Sequence, residues 1–175
     1  MTSTVSAVDR NYLNGDKNYI QCGGSMGATS FIDRSTLKVE KYAPPIYIIS
    51  VDTVYVYRYH EGETKINRRL TWRFMYDYAN RKMYIYAPND VGNYKSRYEN
   101  EFKNRSMKID TTINWKSDWA YINSLVYYGE GNQPPIIGEL TFALAYKEKF
   151  YRGYENRLYD GVRGVVGEIK DGENY

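Results

Sequence analysis

Hydrophobic and polar positions alternate with a period of two over much of the first half of the chain, the pattern of strands with one covered face. Over Ile46 to Tyr59 one alternate set, Tyr47, Ile49, Val51, Thr53, Tyr55, Tyr57 and Tyr59, is almost wholly apolar or aromatic. The other set, Ile46, Ile48, Ser50, Asp52, Val54, Val56 and Arg58, turns polar in its middle, so the first set is expected against the core. His60-Glu-Gly-Glu63 reads as a polar turn, and Lys65 to Tyr78 returns with Ile66, Arg68, Leu70, Trp72, Phe74, Tyr76 and Tyr78 on one face. Two long strands joined by a short Gly-containing loop imply an antiparallel hairpin. Ala79-Asn80 turns the chain again into a strand over Lys82 to Ala87, which makes a meander. Upstream, Asn18 to Cys22, Thr29 to Asp33 and Leu37 to Tyr42 read as shorter strands, and Pro44-Pro45 breaks the chain before Ile46.

The second half is less regular. Pro88 to Lys108 is charged, with Asn-Asp and Gly-Asn turn signals, and is expected as an excursion from the sheet. Trp115, Trp119, Ile122, Leu125 and Val126 approximate helical spacing and predict a short helix, with a strand over Leu125 to Tyr128 as the alternative. Pro134-Pro135 then opens the clearest helix, running to about Arg152, with Ile136, Leu140, Ala143, Leu144 and Tyr151 near one face and Gly153 as its stop. The expectation is an α+β fold, an antiparallel β-sheet meander packed by a C-terminal amphipathic helix. Residues 1–17 are expected as a flexible leader, 18–153 as a single β-rich domain, and 154–175, with glycines at 161, 164, 167 and 172, as a loosely held tail.

Composition changes this picture in three ways. The 21 tyrosines, against five Phe and three Trp, give much of the core-forming area a hydroxyl tip that must find water or a partner. Net charge is only +3, and although Glu61 to Asp110 carries eleven basic and seven acidic residues, a solvated sheet face explains that excess. Cys22 is the only cysteine and His60 the only histidine, which excludes an intramolecular disulfide and a histidine-based metal cluster. No cofactor is implied. No apolar run approaches the roughly 20 residues that span a bilayer, and the first twenty residues lack the apolar segment of a signal peptide. The small, polar opening over Thr2 to Ala7 is what would remain were an export signal replaced by a starting methionine.

Candidate chemistry is thin. Asp52 is an acid set within an apolar strand, more simply explained by a bulge or an arginine partner than by catalysis. His60 sits in a predicted loop beside two glutamates, and solvent exposure is the default there. Gln21-Cys-Gly-Gly-Ser-Met-Gly27 has the glycines of a phosphate cradle but neither the lysine nor the following helix, and Cys22 reads as a small core residue. Arg68, Arg69, Arg73, Arg81 and Lys82 interleave with Trp72, Phe74, Tyr76 and Tyr84, an arrangement by which sheets bind single-stranded nucleic acid. The low net charge favours a solvated outer face instead. Arg69, Arg73, Arg81, Tyr84 and Tyr86 are therefore the candidate binding face.

Phe31-Ile-Asp33-Arg-Ser-Thr-Leu37, followed by long strands, resembles the pattern of surface-adhesin protein E and related exported bacterial proteins. Val39 to Ile49, Arg73 to Tyr78 with Arg81 to Tyr84, and Ala143 to Tyr146 with Phe150-Tyr151 resemble a group of secreted proteins of anaerobic bacteria. The likeness covers about residues 18 to 153 and carries over no catalytic residue. It implies a non-enzymatic, exported or cell-surface protein whose partners are other envelope proteins or itself. A single-stranded nucleic-acid binder is the alternative. Were Ile46 to Tyr59 to lie at a sheet edge, the β-prone Thr2 to Val8 segment of a neighbouring subunit could add to it and give self-assembly, but a disordered leader is the favoured reading of Thr2 to Val8.

Overall fold

A computed structural model describes residues 13–24, 27–57, 66–128 and 133–172. Six strands form one antiparallel sheet in sequence order: β1 Tyr19–Gly24, β2 Ala28–Ala43, β3 Ile46–Tyr57, β4 Ile66–Asp77, β5 Lys82–Tyr86 and β6 Trp119–Ile122. Helix α1, Val91–Asn104, separates β5 from β6, and α2, Gln133–Tyr146, and α3, Asp160–Val166, follow the sheet. The fold is thus α+β, with a meander sheet as the alternation predicts. His60, Arg58, Tyr59 and the predicted hairpin loop lie outside the described residues, as do residues 1–12.

The two sheet faces are covered differently. Ile49, Val51, Phe74, Tyr76, Met83, Ile85, Ala120 and Ile122 pack with Ile137, Leu140, Phe142 and Ala143 of α2. This is the set of alternate positions in β3 and β4 expected against the core. On the opposite face Met75, Tyr84 and Tyr121 pack under Tyr98 and Phe102 of α1, with Ile113 and Val126. A small third cluster joins Leu13 to Phe31 and Val54 at the other end of that face. Between these two clusters the second face stays open.

Several expectations need correction. The two strands predicted over 29–33 and 37–42 are one strand, β2, whose pairing with β3 shifts between Asp33 and Lys38 and again between Val39 and Lys41. The excursion over 88–108 contains α1, whose Tyr94, Tyr98 and Phe102 recur every four residues between solvated charges. The short helix predicted over 109–128 is overturned: Trp119–Ile122 pairs with β5 as β6. Ala120 and Ile122 face one core and Tyr121 the other, so a strand covered on both sides shows no alternation and imitates helical spacing. Helix α2 ends at Tyr146 instead of Arg152, because Lys147 takes φ 55° and Lys149 then pairs its backbone with Lys170. The segment expected as a loose tail contributes Tyr159, Val162 and Ile169 to the core, all buried. It closes over the outer side of α2, so burial runs unbroken from Ile137 to Leu144. Leu13, placed in the leader, is buried as well.

Candidate functional site

The open strip of the second face is built around the bulge in β2. Asp33 turns the chain there: its carboxylate accepts from the Ser35 backbone N–H at 3.2 Å and from the Ser35 hydroxyl at 2.6 Å. Thr36 Oγ1 donates to the Asp33 carbonyl at 2.7 Å and accepts from the Asp52 N–H at 2.8 Å, which ties the extra residues to β3. A bulge re-aims side chains, and this one sets Asp33 directly opposite Asp52. Two carboxylates on neighbouring strands repel unless a cation joins them. Arg69 does so, with Nη1 2.8 Å from Asp33 Oδ2 and 3.2 Å from Asp52 Oδ2, while Thr71 donates to Asp52 at 2.7 Å. Burial would raise the Asp33 pKa, but the Ser35 hydrogen bonds and the Arg69 guanidinium outweigh it and hold the carboxyl below its usual range. Asp52 is an arginine-paired strand aspartate.

A second row crosses the sheet beside the first. Ser50 faces Arg73 and Tyr86 faces Trp119 in the strand register. The Arg73 guanidinium lies 5.2 Å from the Tyr86 ring centre and 5.4 Å from that of Trp119, and its Nε donates to Glu40. Arg69 and Arg73 keep 42% and 38% of their side chains exposed, and Tyr86 is 40% exposed, so the strip offers charged donors and an aromatic face to solvent. The two arginines meet three carboxylates, Asp33, Asp52 and Glu40, which leaves no excess of positive charge in the strip.

Of the five residues singled out in the sequence, the structure gathers Arg69, Arg73 and Tyr86. Tyr84 shares their face but lies buried under α1, its hydroxyl accepting the Asn114 N–H at 3.2 Å. Arg81 sits in the β4–β5 turn with its guanidinium 3.7 Å from the Tyr78 ring centre, and Tyr78 packs on Phe142 of the covered face. Sequence reasoning missed Trp119, Asp33 and Glu40. Their link to the arginines runs through strand register and the β2 bulge, and no local spacing signals it.

Among the described residues, Cys22 offers no exposed chemistry. Cys22 is buried among Ile20 and Ile32, and loss of solvation pushes its thiol up to about 12. Of the glycine-rich run, Gln21 to Gly24 are the end of β1, and Ser25 and Met26 lie outside the described residues. Among the described residues no group of three or more His, Cys, Asp or Glu is placed to hold a metal ion, and no helix is long and apolar enough to cross a membrane.

Glu139 is a further polar site that the sequence did not flag. It is fully buried in α2 and accepts from the N–H of Phe150 at 2.8 Å, the N–H of Tyr151 at 2.9 Å and the Tyr159 hydroxyl at 2.7 Å. Burial raises its pKa and these three donors lower it, leaving the carboxyl at about 7. Phe150 and Tyr151 follow α2 closely and Tyr159 belongs to the segment that closes over it, so Glu139 pins both to the helix.

Fold and site together define a single-sheet α+β protein with an arginine-carboxylate-aromatic strip on one partly covered face. No family model, curated protein or solved structure matches the chain.

Proposed function

We propose that the chain is a non-enzymatic bacterial protein of the cell envelope or cell surface that holds a partner against the open strip. The observation that carries this reading is the solvent-accessible grouping of Arg73, Glu40, Tyr86 and Trp119 on a sheet face that α1 covers only in part. Aromatic and arginine side chains concentrate binding energy where they can be desolvated together, and the pairing of each arginine with carboxylates favours a partner of balanced charge. The resemblance to surface-adhesin protein E supports the location. The same pairing weighs against a polyanion, since phosphates would have to displace Asp33, Asp52 and Glu40, and burial of Tyr84 removes a stacking platform.

Sedimentation with purified bacterial envelopes tests the reading. The wild-type chain is expected in the pellet, and the double variant Arg73→Ala with Tyr86→Ala in the supernatant with an unchanged melting temperature. Equal pelleting of both forms, or tight binding of a fluorescent single-stranded oligonucleotide that moderate salt reverses, would overturn it.

A further inference from the structure

The open strip carries a row of side chains whose hydrogen-bonding capacity is not used within the chain. In strand register Lys38 lies opposite Ser50 and Ser50 opposite Arg73, while Arg73 reaches over the Tyr86 ring and Tyr86 lies opposite Trp119. The row crosses five strands, β2 to β6, a span of about 19 Å. Among the described residues the Ser50 hydroxyl, the two terminal nitrogens of Arg73, the Tyr86 hydroxyl and the Trp119 indole N–H have no hydrogen-bond partner. These groups are nonetheless held in place. Glu40 accepts from Nε of Arg73, and the Tyr86 and Trp119 rings meet edge to face with centres 5.3 Å apart. Acceptors stand beside the donors: Glu40 itself, and Asp52 one step along the same face of β3 from Ser50. Lys38, Arg69 and Arg73 are matched by Asp33, Asp52 and Glu40, so the strip as a whole is neutral.

We infer that the strip binds a neutral oligosaccharide, its hydroxyls bridging Arg73, Ser50, Glu40 and Asp52 and its ring C–H faces covering Tyr86 and Trp119. A ligand for this surface has to accept and donate at closely spaced positions. A phosphate or carboxylate accepts from Arg73 and Ser50 but is repelled by Glu40 and Asp52, and an ammonium group meets the two arginines and Lys38. A hydroxyl does both at one uncharged atom, and a sugar ring carries several around an apolar C–H face that removes aromatic surface from water. A peptide backbone finds its match at a sheet edge, whereas β2 to β5 are paired on both sides and offer only side chains here. The inference rests on the reading of the strip as the face that holds an envelope partner, and it names that partner as a glycan.

Incubation of the full chain with a printed array of neutral and acidic oligosaccharides, followed by titration of the binders, tests the inference. Neutral structures are expected to bind, with an affinity that changes less than about twofold between low and moderate salt, since no counterions are released. Tyr86→Ala removes a ring and Arg73→Lys keeps the charge but loses the planar fork; each should weaken binding roughly tenfold or more with an unchanged melting temperature. Periodate, which cleaves vicinal diols, should abolish pelleting of the unaltered chain with purified envelopes, and protease treatment of the envelopes should not. That comparison needs no variant, so it decides the matter even if a substituted chain folds poorly. The inference is overturned if the array yields no neutral binder, if acidic structures bind more tightly, or if binders ignore both substitutions. If protease rather than periodate abolishes pelleting while Arg73→Ala with Tyr86→Ala still abolishes it too, the strip holds a protein and the glycan alone is wrong. Equal pelleting of that double variant and the wild type would instead remove the reading of the strip itself.

Discussion

Glu139 couples the stability of the molecule to pH through a single side chain. Its folded-state pKa of about 7 stands above the ordinary 4.5, so the native state holds a proton that the unfolded state has released between those values. Its contribution to stability is therefore largest below pH 4.5, falls as pH rises toward 7 and is flat beyond, a change of about 3 kcal/mol at most. Chemical denaturation at pH 5 and at pH 7.5 should show this loss in the wild type and not in Glu139→Gln. Asp33 works in the opposite sense, because its lowered pKa gives stability that is lost only as pH falls below the ordinary value of 3.8, so the two windows do not overlap. Glu139→Ala strands two buried backbone N–H groups and the Tyr159 hydroxyl, and should cost about 3 kcal/mol or more at any pH. On the open strip, Arg69→Met should move the Asp33 titration upward, read by carboxyl NMR shifts. An unmoved Asp33 would mean that Ser35 alone holds it.

At the scale of the element, α2 shows how closely a helix can lie on a sheet. A Cβ built on Gly138 would stand 2.2 Å from Met83 Sδ and 3.1 Å from a Phe74 ring carbon, while the Gly138 carbonyl accepts the Tyr76 hydroxyl at 2.7 Å. Gly138→Ala should therefore destabilise by roughly 1–3 kcal/mol, since Met83 and Phe74 are themselves buried without room to retreat. In α3 the same exchange has the opposite sign. Gly164→Ala meets open space in a helical backbone and should stabilise by about 0.5–1 kcal/mol in equilibrium unfolding. Strand β3 could serve assembly only from a sheet edge, and its place between β2 and β4 gives it none.

The whole molecule is closed by its C-terminal third. Phe150, Tyr159, Val162 and Ile169 share one core with both α2 and the sheet, although they follow the last strand by many residues. A chain ended after Gly153 should lose the cooperative unfolding transition and bind a hydrophobic dye, because the outer side of α2 would lose Tyr159, Val162 and Ile169, and Glu139 the Tyr159 hydroxyl. A truncated chain that still melts cooperatively near the wild-type temperature would show that this segment only decorates the surface.

What the sequence by itself determined is the set of features governed by local periodicity. Strands with one face partly solvated alternate visibly, as β3 and β4 do, and consecutive strands joined by short turns pair as neighbours, so the meander was legible. Arg69, Arg73 and Tyr86 were legible as a group for the same reason, being alternate positions on adjacent strands. Elements covered on both sides lose their pattern, which is why β6 read as helix and why the limits of α2 were misplaced. Only tertiary structure decided the rest: the pairing of Asp33, Asp52 and Glu40 with the two arginines, the burial of Tyr84 under α1, and the docking of residues 154–172 on α2. Each of these depends on contacts between residues far apart in the chain, and their energy comes from desolvation and charge pairing that no short window of sequence contains.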